Sequence, residues 1–205
     1  MSTTPEFLFF DLGNVLFHFS HARVCQQVSE VSGVPAGDVG AFIEQSDYMV
    51  QLETGATTIA DIHATFCKSF GVSPPLDAIE LAASDIFEVN APIIPLLMSL
   101  VRARRRIGVL SNTSHAHWEF LSSRYTFLRK FFPVLSLSFE LGVMKPDREI
   151  YERSAEMVGV PPERIFFTDD RAENIEGALA ANWQAALFTN PNRLAEDLRS
   201  RGVKF

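Results

Sequence analysis

Five short apolar runs punctuate the chain: 6–11 (EFLFFD), 106–112 (RIGVLSN), 133–139 (PVLSLSF), 164–170 (RIFFTDD) and 184–188 (QAALF). Each is too short for a buried helix; continuous apolar character marks 6–11 and 106–112 as buried strands, and the other three are read as strands. Segments of helical spacing separate them, such as KPDREIYERSAEMVG (145–159), AENIEGALAAN (172–182) and NRLAEDLRSRG (192–202). Strands alternating with helices require right-handed βαβ crossovers, so the expected fold is α/β, a doubly wound parallel sheet with helices on both faces. One region breaks the rhythm. From Ser20 to Glu88 the pattern is helical throughout, with no strand evident, and Thr57 or Thr58 is placed to cap a helix that Gly71 ends. Two domains are therefore expected: a core of residues 1–19 plus 89–205, and a helical insert of residues 20–88 after the first strand.

A parallel sheet brings the C-terminal ends of all its strands to one edge, where residues from distant parts of the chain share a crevice. Those positions hold Asp11, then Ser111 and Asn112, then Lys145 in the loop after the third strand, then Asp169 and Asp170. Each alone has a plain structural reading. Asp11, Gly13 and Asn14 are turn residues, Ser111 or Thr113 suits a helix cap, and two acids before a helix suit its dipole. Together they supply a nucleophilic carboxylate, a hydroxyl, an ammonium and further carboxylates. Phosphoryl transfer needs that combination for attack, for a divalent cation and for the phosphate oxygens.

In order and spacing, DLGNV, LSNT, MKPD and FTDDRAENIEGA resemble the four motifs of the haloacid dehalogenase superfamily, within it the bacterial glucose-1-phosphate phosphatase type. The resemblance spans essentially the whole chain and implies a Rossmann-like core with a cap inserted after the first strand. It implies Asp11 as nucleophile through an aspartyl-phosphate, and Mg²⁺ held by Asp11, the Gly13 carbonyl and Asp170, with Asp169 close by. Asn174 would orient the acidic loop. Ser111 and the Asn112 amide would bind phosphate oxygens, and Lys145 would offset their charge. The substrate implied is a small phosphomonoester, a sugar phosphate first. QLETGATT (51–58) resembles the family's cap turn, with Glu53 and Gly55 at its marked positions; Glu53 is either a polar substrate contact or a helix-end acid.

The chain departs from the phosphatase pattern at one position. DLGNV stands where DLDGV is expected, so Gly13 replaces the acid that protonates the leaving alcohol. A glycine carries no proton. Substrate, water or a nearby residue would have to supply it, with His18 and His21 as candidates. Two alternatives follow: a metal-independent 2-haloacid dehalogenase, whose halide leaves without a proton, or a non-catalytic phosphate-binding module. The paired acids Asp169 and Asp170 favour the phosphatase.

Composition sets outer bounds. A net charge of -7 excludes a general nucleic-acid binder, and the RARRR cluster (102–106) is read as a helix end. No run approaches a membrane span. MSTTPEF lacks the basic and apolar regions of a signal peptide, and Cys25 and Cys67 are read as reduced core thiols. A cytoplasmic monomer or homodimer is expected.

Overall fold

A computed structural model describes residues 3–205; Met1 and Ser2, part of the stretch searched for a leader, lie outside the described residues. In chain order the elements are β1 (Phe7–Phe10), β2 (Phe17–Phe19), α1 (His21–Ser32), α2 (Ala36–Glu44), α3 (Tyr48–Glu53), α4 (Ile59–Phe70), α5 (Leu76–Ser84) and β3 (Phe87–Val89). They continue with α6 (Ile94–Arg102), β4 (Arg106–Ser111), α7 (His115–Arg124), α8 (Phe127–Phe131), β5 (Val134–Leu137), α9 (Ser138–Leu141) and α10 (Arg148–Val158). The last are β6 (Ile165–Asp169), α11 (Ala172–Ala180), β7 (Gln184–Leu187) and α12 (Pro191–Ser200).

The five apolar runs form one parallel sheet in the order β5-β4-β1-β6-β7. β1 is its centre, pairing Phe7 with both Arg106 and Ile165. The alternation of its side chains assigns the two faces. Leu8 and Phe10 join one apolar cluster with Leu97, Trp118, Leu121 and Leu198; Phe7 and Phe9 join another with Ile150, Tyr151, Ile175 and Trp183. All four β1 residues are 0–1% exposed, which is why no polar residue interrupts FLFF. Burial at about 1.5–3 kcal/mol for each such side chain makes this strand the anchor of the sheet.

Local chemistry sets the helix ends. Thr58 caps α4 through a reciprocal capping box with Asp61, and Gly71 closes that helix. Ser114 caps α7, accepting from the His117 N–H, and Asn190 caps α12, accepting from the Arg193 N–H. The arginine cluster is only partly a helix end. Arg102 lies in the last turn of α6, whereas Arg106 opens β4, donates to the Val158 carbonyl at 2.7 Å and lies over the Phe7 ring. Cys25 and Cys67 are free and half-buried in α1 and α4.

One expectation is corrected. The stretch 20–88 is not free of strand: β3 begins at Phe87 and pairs antiparallel with β2, Phe17 opposite Val89. Three residues are too few to show a period, and a two-stranded ribbon is formed by its partner rather than by propensity. Between the ribbon's strands, α1–α5 share their own apolar cluster of Val28, Val34, Val39, Phe66, Ile79 and Ala82. Among the described residues, no helix is long and apolar enough to cross a membrane.

Candidate active site

The register that pairs Phe10 with Val109 and Thr168 carries the next residue, Asp11, between the ends of β4 and β6. Its N–H still donates to the Thr168 carbonyl at 3.1 Å, so the backbone is held in the line of the strand. The Lys145 ammonium is buried between two carboxylates, 2.8 Å from Asp11 Oδ1 and 2.6 Å from Asp169 Oδ2, and it also donates to the Leu110 carbonyl at 3.2 Å. Burial pushes Asp11 up to about 6. The Asp169 charge adds to that rise, while Lys145 and the Ser111 hydroxyl pull against it. Burial would lower Lys145, but the adjacent Asp11 and Asp169 outweigh it and hold the ammonium above its ordinary value.

Lys145 reaches this point because the Asn112 side chain clamps its backbone in both directions. Asn112 Nδ2 donates to the Lys145 carbonyl at 2.9 Å, and the Lys145 N–H donates to Asn112 Oδ1 at 2.8 Å. Ser138, the first residue of α9, ties the same β4 loop to the end of β5, accepting from the Thr113 N–H at 3.0 Å and donating to the Thr113 carbonyl at 3.2 Å. These uses of Asn112 and Ser138 carry no sequence signal, since each depends on a loop from elsewhere in the chain.

The two acids at the end of β6 have different surroundings. Asp169, 0% exposed, is saturated by protein donors: Lys145, both oxygens by Asn174 Nδ2 at 3.0 and 2.9 Å, and the Arg171 N–H at 2.9 Å. Asp170 is half-buried and accepts from Asn14 Nδ2 at 2.8 Å. Asn14 sits in the left-handed region at φ 52°, a conformation that asparagine tolerates better than most residues. Read as a turn residue in the sequence, it is a brace for Asp170; its one legible signal is an asparagine following Gly13 just past a strand.

Asp11, Gly13, Ser111, Asn112, Lys145, Asp170 and Asn174 line one cavity of about 340 Å³, and Asp169 lies directly behind Lys145. His21 lines the same cavity, whereas His18 is exposed and lines a different one. Glu53, from the end of α3, is in the Asp11 cavity too. A second, largely apolar cavity of about 500 Å³ lies among α1–α5 and shares His21, Met49, Ile86 and His117 with it. Burial pushes His117 down to about 4, so that ring is neutral.

Asp11, Asp169 and Asp170 each offer an oxygen within 4.8 Å of the others, a set of hard carboxylate donors without cysteine or histidine. That chemistry fits a magnesium-type cation and not a thiophilic metal. A cleft at the carboxyl edge of a parallel sheet, with a charge-compensated carboxylate at its base, is the equipment of a hydrolase.

The chain belongs to the haloacid dehalogenase-like hydrolase family, whose profile matches residues 6–182. Phosphatase MT3486 of Mycobacterium tuberculosis is 32% identical over 208 residues, 95% of this chain and 94% of its own length. Pyrimidine 5'-nucleotidase YjjG of Escherichia coli is 32% identical over 93 residues, which is 42% of this chain and only 41% of that relative. Among solved structures, a HAD family enzyme of Bacteroides thetaiotaomicron, crystallised with magnesium and inorganic phosphate, superposes with a TM-score of 0.80. At 22% identity over 91% of this chain and 95% of that one, it shares the fold.

Proposed function

We propose that the chain is a Mg²⁺-dependent phosphatase that hydrolyses a small phosphomonoester through an aspartyl-phosphate on Asp11. The observation that carries this reading is the buried Asp11–Lys145–Asp169 array with Asp170 beside it. At neutral pH most of Asp11 is ionised, with its upward shift stopping near 6. Lys145 screens it from the incoming phosphate, whose negative charge would otherwise repel a carboxylate in a dry site. Ser111 and the Asn112 N–H hold phosphate oxygens. Asp169 and Asn174 act on Lys145 and on the loop, not on substrate. Asp11, Asp170 and the Gly13 carbonyl would hold Mg²⁺, which when bound draws charge from the phosphate oxygens. The fold-mate's magnesium and phosphate complex supports this assignment, as does a full-length relative named as a phosphatase.

The domain division belongs to the same proposal. Residues 20–88 form a cap and residues 1–19 plus 89–205 the core; the separate apolar cluster of α1–α5, and Met49 and Glu53 in the Asp11 cavity, support it. A cavity of about 340 Å³ has room for a metabolite and not for a folded protein. Sugar phosphates are the leading class, with glucose 1-phosphate the first choice, in a cytoplasmic enzyme. The test is phosphate release from a panel of small phosphomonoesters with Mg²⁺, with EDTA, and with Asp11→Asn. Release that needs both the metal and Asp11 is expected. No release from any ester, or release untouched by EDTA, refutes the reading, and chloride release from 2-chloropropionate without metal replaces it with the dehalogenase.

A further inference from the structure

Gly13 leaves the site without a proton donor next to the nucleophile, and the structure closes that position. A Cβ on Gly13 would stand 2.9 Å from Phe19 Cε1 and 3.7 Å from Asp11 Oδ2, so the Phe19 ring of β2 occupies the space where an acidic side chain would begin. The proton must come from another direction.

We propose that Glu53 supplies it: resting on the phosphatase reading, this acid at the end of α3 is the catalytic acid for the leaving oxygen and then the base for water. Four acids line the cavity, and their partners differ. Asp11 holds Lys145, Asp170 holds Asn14, and Glu173 is paired with Arg171 at 2.5 Å. Glu53 has no hydrogen-bond or ion-pair partner among the described residues, although its residue is half-buried. It is also the one of the four contributed by α1–α5, and it lines the same cavity as Asp11.

Its position is built in by the backbone. Gly55 has φ +70°, and a Cβ there would lie 2.5 Å from the Phe139 carbonyl of α9. Only glycine permits both the left-handed turn and so close an approach. This contact seats the end of α3 against the core just after β5, two residues beyond Glu53, and so fixes the acid over the cavity. Burial raises Glu53 to about 7, aided by Asp11 and opposed by Lys145 and Arg171, so its carboxyl is about half protonated at neutral pH. The two histidines facing the same space are His21 and His117, of which the second is held neutral.

The step balances. An Asp11 oxygen bonds to phosphorus, and the bond to the leaving oxygen breaks with its electron pair on that oxygen, which takes the Glu53 proton. The Glu53 carboxylate then takes a proton from water as the water oxygen bonds to phosphorus. That restores the acid and releases Asp11 and inorganic phosphate.

The experiment compares wild type, Glu53→Gln and His21→Ala on glucose 1-phosphate, glycerol 1-phosphate and p-nitrophenyl phosphate, whose nitrophenolate leaves without a proton. For Glu53→Gln we expect kcat/KM on the alkyl esters to fall by about 10²–10⁴-fold. The p-nitrophenolate burst should stay within about tenfold of wild type, followed by slow turnover because the phosphoenzyme lacks its base. The retained burst also shows that the variant is folded. Equal losses on all three esters, no loss on the alkyl esters, or a selective loss in His21→Ala instead would overturn the assignment. A wild type that cleaves only the aryl ester uses no acid and overturns it as well. A wild type that cleaves none sinks the phosphatase reading itself, and the two failures are thereby distinct.

Discussion

Replacing Lys145 with methionine keeps an unbranched side chain and removes the ammonium that lies 5.1 Å from the Phe167 ring centre, with its hydrogen bonds to Asp11, Asp169 and the Leu110 carbonyl. Asp169 would keep its donors from Asn174 and the Arg171 N–H. Asp11 would lose its ammonium, 2.8 Å away, in a place where burial already pushes it to about 6 with the lysine present. Breaking a buried ion pair from one side costs about 3–5 kcal/mol, so Lys145→Met should fall in that range at pH 8. The pH dependence is the sharper test. A carboxyl whose folded value is raised contributes stability below its unfolded value, and that contribution is lost as pH rises through the folded value. In the wild type this loss ends near pH 6. In the variant Asp11 shifts past neutrality, so the loss continues at about 1.4 kcal/mol per pH unit for one proton. The stability gap between the two proteins should therefore be roughly 2–3 kcal/mol wider at pH 8 than at pH 5. Urea unfolding in EDTA at the two pH values measures it. An equal gap at both, or a variant as stable as the wild type at pH 8, would refute the account of Lys145 as the counter-charge of Asp11.

The same linkage predicts that Glu53→Gln stabilises the protein. With Glu53 raised from 4.5 to about 7, the wild type loses up to roughly 3 kcal/mol between those pH values that glutamine does not; unfolding curves that run parallel from pH 4 to 8.5 would contradict this. Asn14→Ala removes the brace on Asp170 and should weaken Mg²⁺ binding by about 10–100-fold in calorimetry. Unchanged affinity would show that Asp170 needs no orienting partner. Gly13→Ala forces Phe19 aside and should cost about 1–3 kcal/mol in thermal unfolding, with no change expected if the ring yields freely.

The sheet was legible because a strand buried on both faces has to be apolar at every position, and FLFF, IGVL and IFF satisfy that in one dimension. The strand-end residues were legible for a related reason: a polar residue closing such a run stands out. What escaped is what needs a third dimension. The β2–β3 ribbon is three residues wide and exists only as a pair. Asn14 reads as a turn residue, and the side-chain bonds of Asn112 and Ser138 have no signal, until the segments they join are brought together. Glu53 read more simply as a helix-end acid, and only the close approach of Gly55 to Phe139 brings the end of α3 to the cavity that Asp11 lines. The missing acid at Gly13 was visible at once, while the ring that fills its place, six residues further on, was not.

β1 is made first, yet its second edge stays open until β6 is made. Phe7 finds its two partners at Arg106 and Ile165, so the ribosome must finish about four fifths of the chain before the second edge of this strand is covered. Until then a fully apolar strand has an open edge, the kind of surface that recruits other unfinished chains. Lys145 precedes that partner strand and Asp169 ends it, so a chain that stops short of β6 lacks the second carboxylate that holds the Lys145 ammonium. The cost of the arrangement is a long exposure during synthesis.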